Sequence, residues 1–126
     1  MNQRVLMIAV ALVCLALPGG AAGQDSAFEG TLVDSKCYLS DKSLSTNDHG
    51  AMKECGTMCL KGGTPAAIVT KNGTFHAVIA PSLPLAPYVG QQVRVNGSLH
   101  NGAVLAKKVE VQRNGKWEEV KLGGMM

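Results

Sequence analysis

Ala66-Ala-Ile-Val-Thr70, then Lys71-Asn72-Gly73, then Thr74-Phe-His-Ala-Val-Ile79 is the stretch that decides the fold class. Two runs rich in branched and aromatic residues, each too short for a helix, flank an Asn-Gly pair. Asn-Gly favours the type I′ turn, in which both central residues take positive φ. The stretch reads as a β-hairpin.

Working outward, the C-terminal side continues the β pattern after one interruption. Pro81, Pro84 and Pro87 permit a single short helical turn after Ser82 but no longer helix. Residues 92–99 alternate Val93 and Val95 against Gln92 and Arg94, and Gly97 interrupts them as a bulge does. Asn101-Gly102 turns the chain into residues 103–111, and Asn114-Gly115 turns it again into residues 116–120. On the N-terminal side, residues 28–34 form a strand with Phe28 and Leu32 on one face and Gly30 marking a bulge or bend. This order predicts a mainly β domain over residues 27–122: a small five- or six-stranded Greek-key barrel of the OB type, with its usual helix at residues 82–88. An open sheet with one helix packed across it is the other arrangement the pattern allows.

Between the first strand and the hairpin lies a segment, residues 37–63, that holds most of the reactive side chains. Thr46-Asn47-Asp48 offers N-caps for a helix over residues 49–60, which Gly62 would end. At about 100° per residue, His49, Met52, Cys55 and Cys59 would share one face, within a sector of roughly 120°. Cys55 and Cys59, one helical turn apart, suit a single metal ion, and Cys37 on the preceding loop would complete a Cys₃His set with His49. Zinc or copper fits these donors. A disulfide from Cys37 to Cys55 or Cys59, stapling the helix to the first strand, uses the same residues and would add about 2–4 kcal/mol. Met52 would then be buried core. Asp34-Ser35 can orient a ligand or cap the loop that follows, capping being the preferred reading, and His76 and His100 are expected to face solvent or be hydrogen-bonded.

Residues 1–23 have the form of a secretory leader: Arg4, an apolar run over residues 5–17, then Pro18 and small residues, with cleavage after Ala22 or Gly23. That run, about 13 residues, falls short of the roughly 20 that cross a bilayer, so no stable membrane anchor is expected after cleavage. Cys14 would leave with the leader. The expected location is periplasmic or extracellular, an oxidising compartment in which three mature cysteines leave one unpaired, metal-bound or bridged to another chain. The formal charge of +3 becomes +2 once Arg4 is removed, and the scattered lysines form no nucleic-acid track. Five aromatic residues, Phe28, Tyr38, Phe75, Tyr88 and Trp117, are too dispersed for a base-stacking platform. No paired carboxylates, Ser-His-Asp spacing or phosphate loop asks for an enzyme.

The pattern Gly30-x-Leu-Val-Asp-Ser-x-Cys37, His49, Cys55-x-x-x-Cys59, Gly62, then Tyr88-Val-Gly-Gln-Gln-Val-Arg-Val-Asn-Gly97 resembles a family of small exported bacterial domains of uncharacterised function. The resemblance implies an OB-like barrel and export, and brings no activity. Tyr38 departs from that pattern, which has a small residue after the first cysteine, and would set a ring beside the Cys37 sulfur. The residues thus lead to an exported, non-enzymatic binding or structural module, taking a small ligand, metal or protein and stapled by a disulfide. The alternative is a thiol redox protein or a zinc or copper carrier using Cys37, His49, Cys55 and Cys59.

Overall fold

The computed structural model describes residues 24–123; the expected leader and Cys14 lie outside the described residues. The chain runs β1 (Asp25–Asp34), α1 (Ser35–Ser40), α2 (Cys55–Lys61), β2 (Ala66–Val69), β3 (Phe75–Ile79), a 3₁₀ helix (Leu83–Tyr88), β4 (Gln92–His100), β5 (Ala103–Arg113) and β6 (Lys116–Val120). The fold is mainly β, with six strands in one sheet in the order β3-β2-β1-β4-β5-β6. Neighbours in that order are antiparallel. The sheet curls back on itself, because β3 and β5 also pair in parallel through Val78↔Val104 and Ile79↔Leu105. Strands β1-β2-β3-β5-β4 thereby form a barrel-like ring with a seam two residue pairs long, and the cysteine-bearing helix follows the first strand as expected.

Strand β1 serves two partners in succession. Its first part pairs with β4 as far as Thr31↔Gln92, and from Thr31↔Val69 onward it pairs with β2. Gly30 stands at that handover. A Cβ there would lie 2.4 Å from the Val69 carbonyl oxygen, so only glycine lets β2 approach so closely. The end of β1 is buried on both faces: Leu32 joins the main core with Val93, Val95, Val109 and Ile68, and Val33 joins a second cluster with Tyr38 and Ala67. Alternation along a strand sends these two neighbours to opposite sides. Phe28 packs against the same core as Leu32.

Two of the three Asn-Gly turns are of the primed kind and the quoted one is not. Asn101 and Gly102 both have positive φ (49° and 83°), as do Asn114 and Gly115 (51° and 74°), which a type I′ turn requires. At Asn72-Gly73 only Gly73 is positive, at 84°. The amide of Gly73 donates to the Thr70 carbonyl and that of Thr70 to the Thr74 carbonyl, so the loop has three residues, with Gly73 in the left-handed position. The hairpin stands and its turn type changes. Gly97 does mark a bulge: the register shifts between Asn96↔Lys108 and Gly97↔Ala106, leaving Lys107 as the extra residue.

The helical segment departs furthest from expectation. The helix predicted over residues 49–60 begins only at Cys55, because Glu54 holds a left-handed conformation (φ 52°) that ends any helix arriving from His49. His49 and Met52 instead exchange backbone hydrogen bonds across a tight turn at Gly50, which has φ 59°. Met52 is therefore 63% exposed and not core. The predicted caps act from across this turn. Asn47 Oδ1 accepts from the Thr57 amide at 2.8 Å, and Asp48 Oδ1 accepts from the Glu54 amide at 2.8 Å. At the other end Gly63 takes φ 95°, while its amide donates to Leu60 and that of Thr64 donates to Cys59, a Schellman closure one residue past Gly62.

A candidate thiol, imidazole and carboxylate centre

Three short elements bring the reactive residues together. Asp34 ends β1 and caps α1, its Oδ1 accepting from the Lys36 amide at 3.0 Å. Cys37, expected on a loop, sits one turn into α1, whose six residues are too few to show a helical period. Tyr38, one step further round, stacks on Phe75 with ring centroids 5.8 Å apart, which carries its ring into the second core cluster. Cys55 and Cys59 lie one turn apart on α2. That helix is seated by Leu60, by the Thr57 hydroxyl donating to the Ala86 carbonyl at 2.8 Å, and by Gly56, where a Cβ would meet the Val89 side chain at 2.5 Å.

The donor atoms fall into two groups of three. Those of Cys37, His49 and Cys55 lie within 4.8 Å of one another, and so do those of Asp34, Cys37 and Cys59. Cys37 belongs to both. All four residues nominated from the sequence are thus gathered, although His49 arrives from the Gly50 turn and not from the helix. The single Cys₃His set is replaced by two sets sharing one sulfur. Cys37, Cys55 and Cys59 are free thiols, so the staple from Cys37 to Cys55 or Cys59 is not formed in the structure.

Asp34 is the donor that sequence reasoning passed over. The Asp-Ser pair after a strand signals a helix cap, and Oδ1 does cap. Its other oxygen does something else: Oδ2 is buried with no hydrogen-bond partner, in a residue 1% exposed. His49 is similar. Nε2 lies 3.0 Å from the Thr46 carbonyl oxygen, to which it donates, while Nδ1 is buried without a partner in a residue 9% exposed. A neutral ring that donates through Nε2 presents a bare lone pair at Nδ1, which is how a backbone carbonyl fixes the tautomer of a metal-ligating histidine.

The electrostatics centre on the same carboxylate. Asp34 as hydrogen-bond acceptor, then burial, then the charge of Asp34, push the Cys37 thiol up to about 12. The same causes in the same order push Cys59 up to about 11. A thiol is a weak donor, and none is aligned on Oδ2 well enough to satisfy it. A cation would replace the protons held here and supply the partner that two buried atoms lack.

The other histidines behave as expected. His76 Nδ1 lies 2.9 Å from the Gly102 carbonyl oxygen, and His100 Nε2 lies 2.8 Å from the Ser98 hydroxyl. A polar cleft of about 570 Å³ opens between the Tyr38 side of the insertion and the β2-β3 turn, with Lys42 and Lys71 on its walls. Among the described residues no helix is long and apolar enough to cross a membrane.

Fold and site together define a small mainly β protein carrying a Cys/His group close enough together that it could hold a metal ion. No family model matches the chain, and neither a curated protein nor a solved structure matches it.

Proposed function

We propose that this chain is an exported, non-enzymatic metal-binding module that holds zinc or copper through Cys37, His49 and Cys55. The observation that carries the reading is the pair of buried, unpartnered polar atoms, Asp34 Oδ2 and His49 Nδ1, set beside three free thiols. A buried polar atom without a partner costs about 1–3 kcal/mol, so two in one cluster would weigh on a domain of this size unless something bound there. Thiolate and imidazole are the donors that zinc and copper prefer. Export is supported by the leader pattern of residues 1–23.

The test is thermal melting of reduced protein with zinc, with copper under reducing conditions, and with chelator. An ion that binds only the folded state at a hundredfold excess over its Kd adds about 2.7 kcal/mol, so the melting temperature should rise by several degrees. Cys37→Ser should remove that rise and His49→Ala should reduce it, each leaving the chelated protein folded. Absence of any metal-dependent shift, with no ion retained in native mass spectra, overturns the reading. The Cys37 sulfur lies within 4.8 Å of that of Cys55 and of that of Cys59, which supports a second reading, the stapled module, in which oxidation bridges Cys37 to one of them. It requires oxidised protein to lose two titratable thiols and to melt higher than reduced protein, whether or not metal is present.

A further inference from the structure

We infer that Asp34, Cys37 and Cys59 form a second metal position beside Cys37, His49 and Cys55, so that the domain holds two zinc ions bridged by the Cys37 sulfur. The inference rests on the metal-binding reading and says which ion, how many and through which additional donors.

Three observations converge on it. The donors fall into two sets of three that share Cys37 alone. A single tetrahedral zinc, with bonds of about 2.0–2.3 Å, takes four ligands spaced about 3.3–3.8 Å apart and leaves one of these five residues over. Each set needs to contract by about 1.5 Å at most to reach that spacing from its present 4.8 Å limit. Next, the two residues with an unpartnered buried atom are divided between the sets, His49 in one and Asp34 in the other. An ion in the first set alone leaves Oδ2 as it was. Finally, an ion in the first set neutralises the two thiolates that bind it and leaves the Asp34 carboxylate, 1% exposed, with no cation of its own, a costly arrangement away from water.

The donor set selects the ion. Cu(I) is held by thiolate, thioether and imidazole, and a carboxylate adds little to it, whereas zinc takes carboxylate, imidazole and thiolate alike. Each zinc would have three protein ligands and a fourth position open to water. As each thiol binds, its proton leaves to solvent, and no oxidant or reductant is needed.

Stoichiometry decides the matter. The full chain, reduced and stripped with chelator, is titrated with zinc alone and read by native mass spectrometry, with far-UV circular dichroism confirming that each variant is folded. Wild type should retain two zinc ions. Asp34→Asn preserves the capping oxygen and removes the charge, and it should retain one; Cys59→Ser should do the same, which guards against a folding defect peculiar to either variant. His49→Ala should also retain one, at the other position, and Cys37→Ser should retain none tightly. Wild type that saturates at one zinc, or an Asp34→Asn variant that still holds two, overturns the second position and leaves the metal-binding module standing. Retention of no zinc overturns it as well, and if a parallel titration with Cu(I) also leaves the protein metal-free, both readings fall.

Discussion

Asp34 shows how much one side chain can be asked to do. Its Oδ1 ends β1 and starts α1, Oδ2 is buried without a partner, and the carboxylate lies beside the Cys37 and Cys59 thiols. Since the thiolate is the reactive form, a thiol pushed up to about 12 is almost wholly protonated at about pH 8 and reacts slowly with alkylating agents. In metal-free reduced protein, Cys37 and Cys59 should alkylate at least about tenfold more slowly than an unperturbed cysteine, whose pKa is about 8.5. The rate should climb only toward pH 11–12. Asp34→Asn should accelerate both, and peptide mapping of the labelled sites would record it. Equal labelling of Cys37 in the two proteins would remove Asp34 from the account.

At the scale of elements, α2 is held from outside. A helix of seven residues has too few internal hydrogen bonds to be stable by itself, so its position depends on Asn47, Thr57, Leu60 and the close approach at Gly56. Asn47 contributes through one atom, since Oδ1 receives the Thr57 amide and lies where a Cβ on Gly56 would meet it at 3.2 Å. Asn47→Ala should cost about 1 kcal/mol, the usual value of a lost cap, measurable as a lower midpoint in urea. Because α2 carries Cys55 and Cys59, the same variant should bind zinc more weakly, although it removes no ligand. Undiminished zinc affinity would mean that α2 is fixed by its apolar contacts alone.

The whole molecule should lose stability in acid through a defined group. Lys108 at 2.6 Å, and Arg94, which also lies over the Trp117 ring, hold the Glu110 carboxyl below the usual carboxylate range. A carboxyl whose pKa is lower folded than unfolded stabilises the fold fully above its unfolded value, about 4.3, and loses that contribution as pH falls through the folded value. Glu110→Gln should therefore flatten the acid limb of a stability-against-pH curve and leave its slope near neutrality unchanged. A mutant curve parallel to wild type down to low pH would show that Lys108 and Arg94 contribute nothing through this carboxyl. Export is checked separately, by N-terminal sequencing of protein recovered from the producing cell. A chain beginning at Gly23 or Gln24 is expected, and one retaining Met1 would contradict the leader.

The sequence alone determined the strands and where they turn, because Asn-Gly pairs, branched residues at alternate positions and three closely spaced prolines act through neighbours in the chain. The Gly97 bulge and the short helix after Ser82 were legible for that reason. The tertiary structure alone decided what depends on contacts between distant residues. The closing of β3 on β5 rests on two residue pairs that no local pattern announces. The late start of α2 follows from Asn47 and Asp48 reaching across a turn to cap it, where the sequence placed them directly before a helix. Asp34 as a donor was invisible for the most physical of reasons: a carboxylate costs least in water, and only burial without a partner marks it as waiting for a cation.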